Sequence, residues 1–482
     1  MRGKMAAVCR WLLIGLLTSL VLGLGLQPER PDYVGLIQKG DGHAAAKEYS
    51  FAASAYRRAA TLRPGSPLPL LRLGSTFLAQ AWLDRAQEAL LAAHRQGGWT
   101  PELHQQMGRL YLGLGLPAEA VAQWEAALAA DPGLAEARLG LGWAYLGREA
   151  WDDARAAFEA VLGRWDDAHR ERWQPAHYGL GLLLALEDPV AALHHLQIAA
   201  AGVDRAMAEG AMAMGAALER ATPLADPAHA AVILGQGYVR VEAWPLARRA
   251  LAQALTAEPG YVEAMAYLGH ALDYPGRAPE AERHLRRAVQ LAPTETLPRY
   301  LLGLYYRRRE KPRQAAFQFR QALKLDPRDA ALYAELGGAW LDEQNYLDAE
   351  NAFRAAAELA PEQAGFRLLL AHFYVDHLIK VRSRGLPAAQ GAAQLNPDDA
   401  EAFDVLGWAY YLVGSLDEAE RALSRAVALD PESASARYHL AVVQRQRGQL
   451  AEATYQFWRA IDLDRTGHYR SQAMRALDLP VE

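Results

Sequence analysis

The sequence predicts an all-α protein whose helices pair into antiparallel hairpins and stack as a solenoid. Three observations predict this fold class: a residue pattern that returns every 34 residues from Tyr33 to Gly467, two amphipathic stripes in each period, and a helix-breaking residue after each stripe. A single hairpin cannot bury both of its stripes, so each hairpin needs a neighbour on either side. The repeat accounts for almost the whole of the 482-residue chain.

The clearest copy of the pattern runs from Pro101 to Leu134. Counted from Pro101, its marker residues are Met107 at position 7, Gly108 at 8, Tyr111 at 11, Gly115 at 15, Ala120 at 20, Trp124 at 24, Ala127 at 27 and Pro132 at 32. Positions 4, 7, 8 and 11 share one face of a first helix, and positions 20, 24 and 27 share one face of a second. Small residues at 8, 20 and 27 predict close helix contacts, and large residues at 11 and 24 predict filled spaces between hairpins. Gly115 and Pro132 end the two helices.

The same frame returns along the chain. A later copy carries Leu302, Gly303, Tyr306, Ala315, Phe319, Ala322 and Pro327. These markers resemble the tetratricopeptide repeat. The resemblance implies a right-handed superhelical solenoid whose concave wall binds extended peptides or partner helices. Chaperone-binding members clamp a terminal carboxylate with Lys at position 5 and Asn at position 9, but this chain has Gln105 and Arg109 there.

The repeats form two predicted blocks around an irregular stretch. The predicted segments are residues 33–200 with about five repeats, residues 201–227 as a junction, residues 228–467 with about seven repeats, and residues 468–482 as a capping helix. One extra amphipathic helix is expected from Val203 to Arg220, where Met207, Met212, Met214 and Leu218 would pack the junction; the alternative is a methionine-rich groove for a partner. The register is also loose where two extra residues lie between Ile379 and Leu386.

Residues 1–32 form a separate predicted element, either an uncleaved membrane anchor or a signal peptide. Arg2, Lys4 and Arg10 precede a largely apolar run from Trp11 to Leu26. The run alone is somewhat short for the hydrocarbon core of a bilayer. The predicted membrane segment therefore includes the preceding residues and covers residues 8–26. Positive charge before the run predicts repeats on the non-cytoplasmic side of the cell membrane. Cleavage would instead give a secreted or periplasmic protein.

The composition and motifs predict a folded protein without a catalytic centre, metal or cofactor of its own. The net charge of −5 argues against a nucleic-acid partner, because nucleic acid needs a basic face. Glycine pairs such as Gly140 and Gly142 follow no predicted strand. The adjacent His194 and His195 point in different directions on a helix, so we expect one to be packed and the other solvated rather than a metal site. Repeats and cap leave no segment for a catalytic domain, so an enzyme is not expected.

The candidate binding residues lie on the face of the first helix next to its buried stripe, at positions 2, 5, 9, 12 and 13. On the concave wall implied by the resemblance, the candidates are Trp143, His270, Tyr274, Tyr300, Arg307, Arg308, Trp408 and Tyr411. Aromatic and arginine side chains on a polar surface are typical of interface anchors. Two alternatives remain open: tryptophan at position 9 covers the seam between helices, and Arg307 to Arg309 form a solvated helix end.

The sequence supports two hypotheses of function. In the first, the chain is a membrane-tethered or exported scaffold that binds peptide or helical segments of other proteins on the concave wall. In the second, it is an accessory subunit of an envelope assembly system for polysaccharide export, cytochrome maturation or pilus biogenesis, and it presents a separately encoded enzyme.

Overall fold

The predicted fold class is confirmed by a computed structural model that describes residues 33–163, 173–274, 277–464 and 466–479. These residues form 26 α-helices and no strand. Residues 1–32, and with them the predicted membrane segment, lie outside the described residues. The chain divides into two units, Met1–Gly98 and Trp99–Glu482.

Antiparallel hairpins make up both units. The first unit contains α1 (Tyr33–Ala45), α2 (Tyr49–Leu62), α3 (Leu68–Ala79) and α4 (Leu83–Gly97). The second unit contains α5 (Pro101–Gly113), α6 (Pro117–Ala130), α7 (Ala135–Gly147), α8 (Trp151–Leu162), α9 (Gln174–Leu184), α10 (Pro189–Ala200), α11 (Arg205–Ala221), α12 (Pro227–Arg240), α13 (Trp244–Ala257), α14 (Val262–Leu272), α15 (Ala278–Leu291), α16 (Thr296–Arg308), α17 (Pro312–Leu325), α18 (Ala330–Asp342), α19 (Tyr346–Leu359), α20 (Ala364–Asp376), α21 (Leu386–Leu395), α22 (Ala400–Leu412), α23 (Leu416–Leu429), α24 (Ala434–Gln446), α25 (Leu450–Leu463) and α26 (His468–Ala476).

Consecutive helices pair into hairpins 1 to 12, and two helices remain single. Hairpins 1 and 2 are α1–α2 and α3–α4, hairpins 3 to 5 run from α5 to α10, and hairpins 6 to 12 run from α12 to α25. The single helices are α11, between hairpins 5 and 6, and α26, after hairpin 12. A cap of this kind covers the last hairpin, which has no neighbour beyond it.

The turn inside most hairpins contains one residue with left-handed backbone, as the breaker at position 15 predicts. The residues in this conformation are Lys47, Ala81, Gly115, Glu149, Glu242, Glu310, Gln344, Leu378, Gly414 and Gly448. The left-handed residue ends the first helix and lets the chain reverse within a few residues. Glycine adopts this backbone without cost, whereas the other residue types are held in it by the hairpin.

Position 8 of the repeat is a point of closest approach between the two helices of a hairpin, as predicted from its small residues. A Cβ atom added to Gly269 in α14 would lie 3.1 Å from the carbonyl oxygen of Ala281 and 3.1 Å from the amide nitrogen of Leu285. Both of these are backbone atoms of α15, so they cannot rotate away as a side chain would. The hairpin therefore tolerates only glycine here without a shift of one helix.

We expect Gly269→Ala to lower the free energy of unfolding by about 1–3 kcal/mol, because the added methyl group forces two backbones apart. Gly365→Ala in α20 is the matched control, since nothing lies within 4 Å of a Cβ atom at that position. This control should leave stability unchanged or raise it by up to about 1 kcal/mol. Urea unfolding followed by circular dichroism measures both, and equal losses would contradict the close approach at Gly269.

The single helix α11 joins hairpins 5 and 6 without interrupting the core. It packs against α10 and α12, and its Met214 and Leu218 are buried in a cluster that continues from Leu146 to Ala352. The expectation that Met212 also packs at this junction is wrong, because its side chain is 56% exposed. Met212 lies on the solvent stripe of α11, on the opposite side from the buried stripe.

Hairpin 6 also reaches back along the chain to the turns of hairpins 4 and 5. The Arg248 guanidinium on α13 donates to Glu149 Oε1 at 2.7 Å, and Arg249 donates to Glu187 Oε1 at 2.8 Å. Arg248 is buried, and its second Nη atom donates to the carbonyl oxygen of Tyr274 at 2.9 Å. The contact with Glu149 connects hairpins 4 and 6, which are not adjacent, and the contact with Glu187 connects hairpins 5 and 6 across the single helix α11. The repeat pattern alone predicts neither contact.

The tenth hairpin has an irregular turn at the place where the sequence has extra residues. A π-helix at Val381–Gly385 precedes the shortened second helix α21. A π-helix turn holds more residues than an α-helical turn, so it accommodates the extra length without breaking the stack.

The first helices of successive hairpins in the second unit contact one another, whereas the second helices pack mainly against first helices. First helices are therefore closer together than second helices, and this unit curves with its first helices on the inner side. We call the surface formed by positions 2, 5, 9, 12 and 13 of these helices the inner wall.

Candidate functional site

The eight predicted binding residues all belong to the second unit, and the structure separates them into groups. Four of them take part in two aromatic clusters together with residues that the sequence analysis did not select. Arg307 and Arg308 form ion pairs within the chain, and Trp143 and Tyr300 pack at the margin of the core.

The first cluster joins hairpins 6, 7 and 8. The ring of Tyr274 stacks on Trp244 with centroids 4.3 Å apart and planes 8° apart, and the edge of His270 meets Trp244 at 5.7 Å. The Arg308 guanidinium lies 4.8 Å from the centre of the Tyr274 ring. Trp244 was not predicted, because it begins a second helix and therefore lies outside the positions assigned to the inner wall.

A buried carboxylate holds this cluster together. The side chain of Asp273 is 2% exposed and accepts hydrogen bonds from Arg308 Nε at 2.6 Å and from Arg309 Nη2 at 2.5 Å. Burial and the positive charge of Arg308 lower the pKa of His270 to about 4, so this imidazole is neutral at pH 7. Arg307, Arg308 and Arg309 remain partly open to solvent, as expected of a solvated helix end, but each guanidinium also pairs with a carboxylate.

Arg307 lies between hairpins 8 and 9. Its guanidinium donates to Glu335 Oε2 at 2.7 Å and to Asp342 Oδ2 at 2.9 Å. Gly338 makes room for it, because a Cβ atom at Gly338 would be 2.8 Å from Arg307 Cζ. Arg307, Arg308 and Asp342 border an open cleft of about 670 Å³. A ligand that enters this cleft meets guanidinium groups whose charge the chain itself already balances.

The second cluster joins hairpins 11 and 12. Trp408 stacks with Tyr411 at 4.5 Å and with His439 at 4.2 Å between ring centroids. His439 Nδ1 lies 2.7 Å from Oδ1 of the buried Asp404. The edge of Tyr469, from the cap α26, meets His439 at 5.5 Å. The ring orientations are therefore fixed by contacts among three neighbouring helices, α22, α24 and α26.

Trp143 and Tyr300 have a larger role in packing than the other candidates. The Trp143 ring meets Phe158 edge-on at 5.2 Å, and Tyr300 lies 6.2 Å from Phe319. Both side chains are half-buried. The alternative in which a tryptophan at position 9 covers a helix seam describes Trp143 well.

Polar bridges between neighbouring first helices recur along the inner wall. Gln236 at position 9 donates to Glu263 at position 2 of the next repeat, at 2.6 Å. His372 at position 9 lies 3.0 Å from Glu401 at position 2 of its next repeat, and 3.0 Å from Asp376 on its own helix. These bridges were not predicted from the sequence, although both join position 9 of one repeat to position 2 of the next.

We expect the stability that His372 supplies to depend on pH. Burial would lower the pKa of His372, but the hydrogen bonds to Asp376 and Glu401 outweigh it and raise the pKa to about 9. A pKa raised above the ordinary 6.5 stabilises the fold fully below pH 6.5, and this contribution is lost as the pH rises to about 9. Because the side chain is 31% exposed, water screens part of the interaction, and we expect about 1–2 kcal/mol.

Urea unfolding of the natural protein and of His372→Gln across this pH range measures the effect. The difference in unfolding free energy should be largest below pH 6.5 and shrink towards about pH 9. His270→Asn is a comparison in which the pH dependence has the opposite sign. The pKa of His270 is lowered, so this histidine reduces the stability of the natural protein as the pH falls from 6.5 towards about 4. A difference for His372→Gln that does not change with pH would contradict the bridge.

The described residues contain no group of three or more His, Cys, Asp or Glu side chains arranged to hold a metal ion. The Nδ1 atoms of His177 and His195 lie 2.8 Å apart. His194 is exposed while His195 is partly buried, so the expectation that one of this pair is packed and the other solvated is confirmed. Within the same residues, no helix is long and apolar enough to cross a membrane.

This chain is similar to known proteins in sequence and in structure. The chain is 27% identical over 180 residues to the human "Cell division cycle protein 16 homolog", which covers 36% of this chain and 29% of that protein. It therefore spans less than a third of that relative's length. Yeast Tom70 is similar in structure with a TM-score of 0.43 and 18% identity, covering 92% of this chain and 95% of that one. The APC/C hetero-tetramer Cut9–Hcn1 is similar with a TM-score of 0.40 and 17% identity, and the match covers 90% of this chain and 98% of that one.

The family model described as "Tetratricopeptide repeat" matches residues 106–169, 232–296, 300–371 and 405–468. These segments amount to more than half of the chain. The chain belongs to the tetratricopeptide repeat family.

Proposed function

We propose that this protein is a non-catalytic interaction scaffold that binds peptide or helical segments of other proteins on its inner wall. The observation that carries the proposal is the pair of aromatic clusters around Tyr274 and Trp408. Their rings are half-buried and held by contacts from neighbouring helices before any ligand arrives. Fixed anchors lose little conformational entropy on binding, so they support affinity better than free side chains.

The wall between the two clusters offers space for a bound chain. In hairpin 9, positions 2, 5 and 9 are the small residues Ala331, Ala334 and Gly338, and Ala331 is exposed. Arg307 covers Gly338 with a guanidinium already paired to two carboxylates. We therefore propose that the aromatic rings bind apolar side chains of the partner, while Arg307 and Arg308 orient its polar groups rather than supply net attraction.

A site-specific photo-crosslink tests the position of the binding surface. A benzoylphenylalanine placed at Ala331 should crosslink to partner proteins in native extracts, because this position faces the inner wall between the clusters. The matched control carries the same residue at Lys324, an exposed position on the second helix α17. Crosslinks of equal yield at both positions would contradict a specific role of the inner wall.

A double substitution tests the anchors themselves. Arg307→Glu with Trp408→Ala should abolish the crosslink at Ala331 without loss of helicity. Arg320→Glu with Tyr455→Ala is the control, because it makes the same charge reversal and also truncates an aromatic side chain, at exposed positions on second helices. Unchanged crosslinking in the first variant would remove these anchors from the proposal.

We also propose that the repeats act outside the cytoplasm, either tethered through residues 8–26 or exported after cleavage. This rests on the basic start and apolar run of the sequence. The intact mass of the native protein and its fraction after membrane separation distinguish the two forms. If the crosslinked partner is an enzyme of an envelope assembly system, the role as an accessory subunit is favoured over a general scaffold.

A further inference from the structure

The irregular turn of hairpin 10 presents an aliphatic side chain where the fold does not require one. Leu378 has left-handed backbone with φ of 55° and is 66% exposed. Lys380, two residues later, is also left-handed with φ of 46°. Aliphatic residues rarely adopt this conformation, and an exposed leucine gains no burial in return. Folding alone gives no reason for leucine at this position.

Two more exposed apolar residues approach this turn from the preceding hairpin. Tyr346 and Leu347 begin α19 and are 42% and 69% exposed. The Tyr346 ring lies 5.4 Å from that of His377, which directly precedes Leu378, so the two chain segments meet at this point. The result is an apolar surface at the turn edge of hairpins 9 and 10.

Two arginines follow Leu378 in the same irregular turn, and neither has a carboxylate partner among the described residues. Arg382 donates to the carbonyl oxygen of Val413 at 2.8 Å, which fixes its position, and Arg384 is exposed. By contrast, Lys380 pairs with both carboxylate oxygens of Glu350. The π-helix therefore carries two guanidinium groups whose positive charge the chain does not balance.

We propose that this surface, made of Tyr346, Leu347, Leu378, Arg382 and Arg384, docks an acidic segment of a partner protein that carries an aliphatic or aromatic side chain beside its carboxylates. The guanidinium groups would pair with the carboxylates, and the apolar side chain would cover Leu347 and Leu378. Charge complementarity supports this occupant, since both arginines are exposed and neither pairs with a carboxylate of the described residues. The surface lies at the turn edge, so the proposal goes beyond binding on the inner wall.

A displayed library of random twelve-residue peptides, selected on the full chain, tests the chemistry of the occupant. The natural protein should enrich peptides with Asp or Glu next to Leu or Phe. For a peptide enriched in this way, Arg382→Glu with Arg384→Glu should weaken binding at least about tenfold, because each charge reversal replaces attraction by repulsion. Raised salt should weaken binding to the natural protein as well.

Three controls keep the result specific. Arg320→Glu with Arg328→Glu changes the net charge equally at exposed positions elsewhere and should alter affinity less than about twofold. Leu378→Gly should weaken binding about fivefold while the thermal midpoint stays at or above that of the natural protein, because glycine adopts left-handed backbone without strain. Arg307→Glu with Trp408→Ala should leave peptide binding unchanged, which separates this surface from the inner wall.

Two outcomes would overturn the proposal. One is equal weakening by both pairs of arginine substitutions, which would indicate attraction to net charge alone. The other is the absence of acidic peptides from the selection while phosphatidylcholine vesicles with about one fifth phosphatidylserine bind through Arg382 and Arg384. That result would assign the surface to an anionic membrane rather than to a protein.

Discussion

Replacing Arg308 and Arg309 together by alanine is expected to lower the free energy of unfolding by about 3 kcal/mol. Both arginines donate to the carboxylate of Asp273, whose side chain is 2% exposed. Their removal leaves a negative charge in a buried position with no cation beside it. Leaving a buried charge without its partner costs more stability than breaking the same ion pair at a surface.

The triple variant Arg308→Ala, Arg309→Ala, Asp273→Asn is the control for this effect. The amide has the shape of the carboxylate without its charge, so we expect this variant to recover more than half of the lost stability. Urea unfolding followed by tryptophan fluorescence measures all three proteins. If the double variant is as stable as the natural protein, Asp273 does not depend on these arginines.

Trp124→Ala is expected to lower the free energy of unfolding by about 3–5 kcal/mol, because it removes the largest fully buried side chain of the described residues and leaves a cavity. The indole lies against two glycines, Gly108 and Gly140, on the first helices on either side of it. Its Nε1 donates to the carbonyl oxygen of Gln105 at 3.2 Å. Neither glycine has a side chain that could move into the space.

Trp99→Ala serves as the matched control. Trp99 is 46% exposed and stacks on His104 at 4.6 Å, so its truncation opens no cavity in the core. We expect a loss of at most about 1 kcal/mol. Urea unfolding followed by circular dichroism measures both variants, and losses of similar size would show that hairpins 3 and 4 do not pack around Trp124 as described.

The hairpins could be predicted from sequence because their contacts repeat with the chain. Gly108 and Trp124 lie at fixed positions of the period, and the contact between them depends on this spacing. The left-handed residues at the hairpin turns follow in the same way, including Glu149 and Gln344, which are not glycines. Local spacing and burial decide these features, and both can be recognised in one sequence.

The site could be predicted only in part. Tyr274 and Trp408 were selected as candidates and each belongs to an aromatic cluster, but the pairing of Arg307 and Arg308 within the chain was missed. The signal was present, because Asp273 and Arg308, Arg307 and Asp342, and Asp404 and His439 are each separated by 35 residues, one period plus one. Comparing ionisable side chains 35 residues apart would have found all three.

The contacts of α13 with earlier turns could not be predicted from the period. Glu149 and Arg248 are 99 residues apart, and Glu187 and Arg249 are 62 apart, so neither separation is a multiple of 34. Their distance in space depends on how α11 turns the chain between hairpins 5 and 6. That geometry follows from the packing of one non-repeating helix, for which the rest of the sequence holds no second copy.

The contacts of Arg248 with Glu149 and of Arg249 with Glu187 limit where whole repeats can be inserted into or deleted from this chain. A regular array can gain or lose one whole period, because each new hairpin recreates the interfaces that it interrupts. A duplication or deletion between Glu187 and Arg248 would instead displace both arginines from their carboxylates, and one between Glu149 and Glu187 would displace Arg248 from Glu149. We therefore expect length differences among descendants of this sequence, and engineered insertions of extra hairpins, to be tolerated outside residues 149–249 and rejected within them.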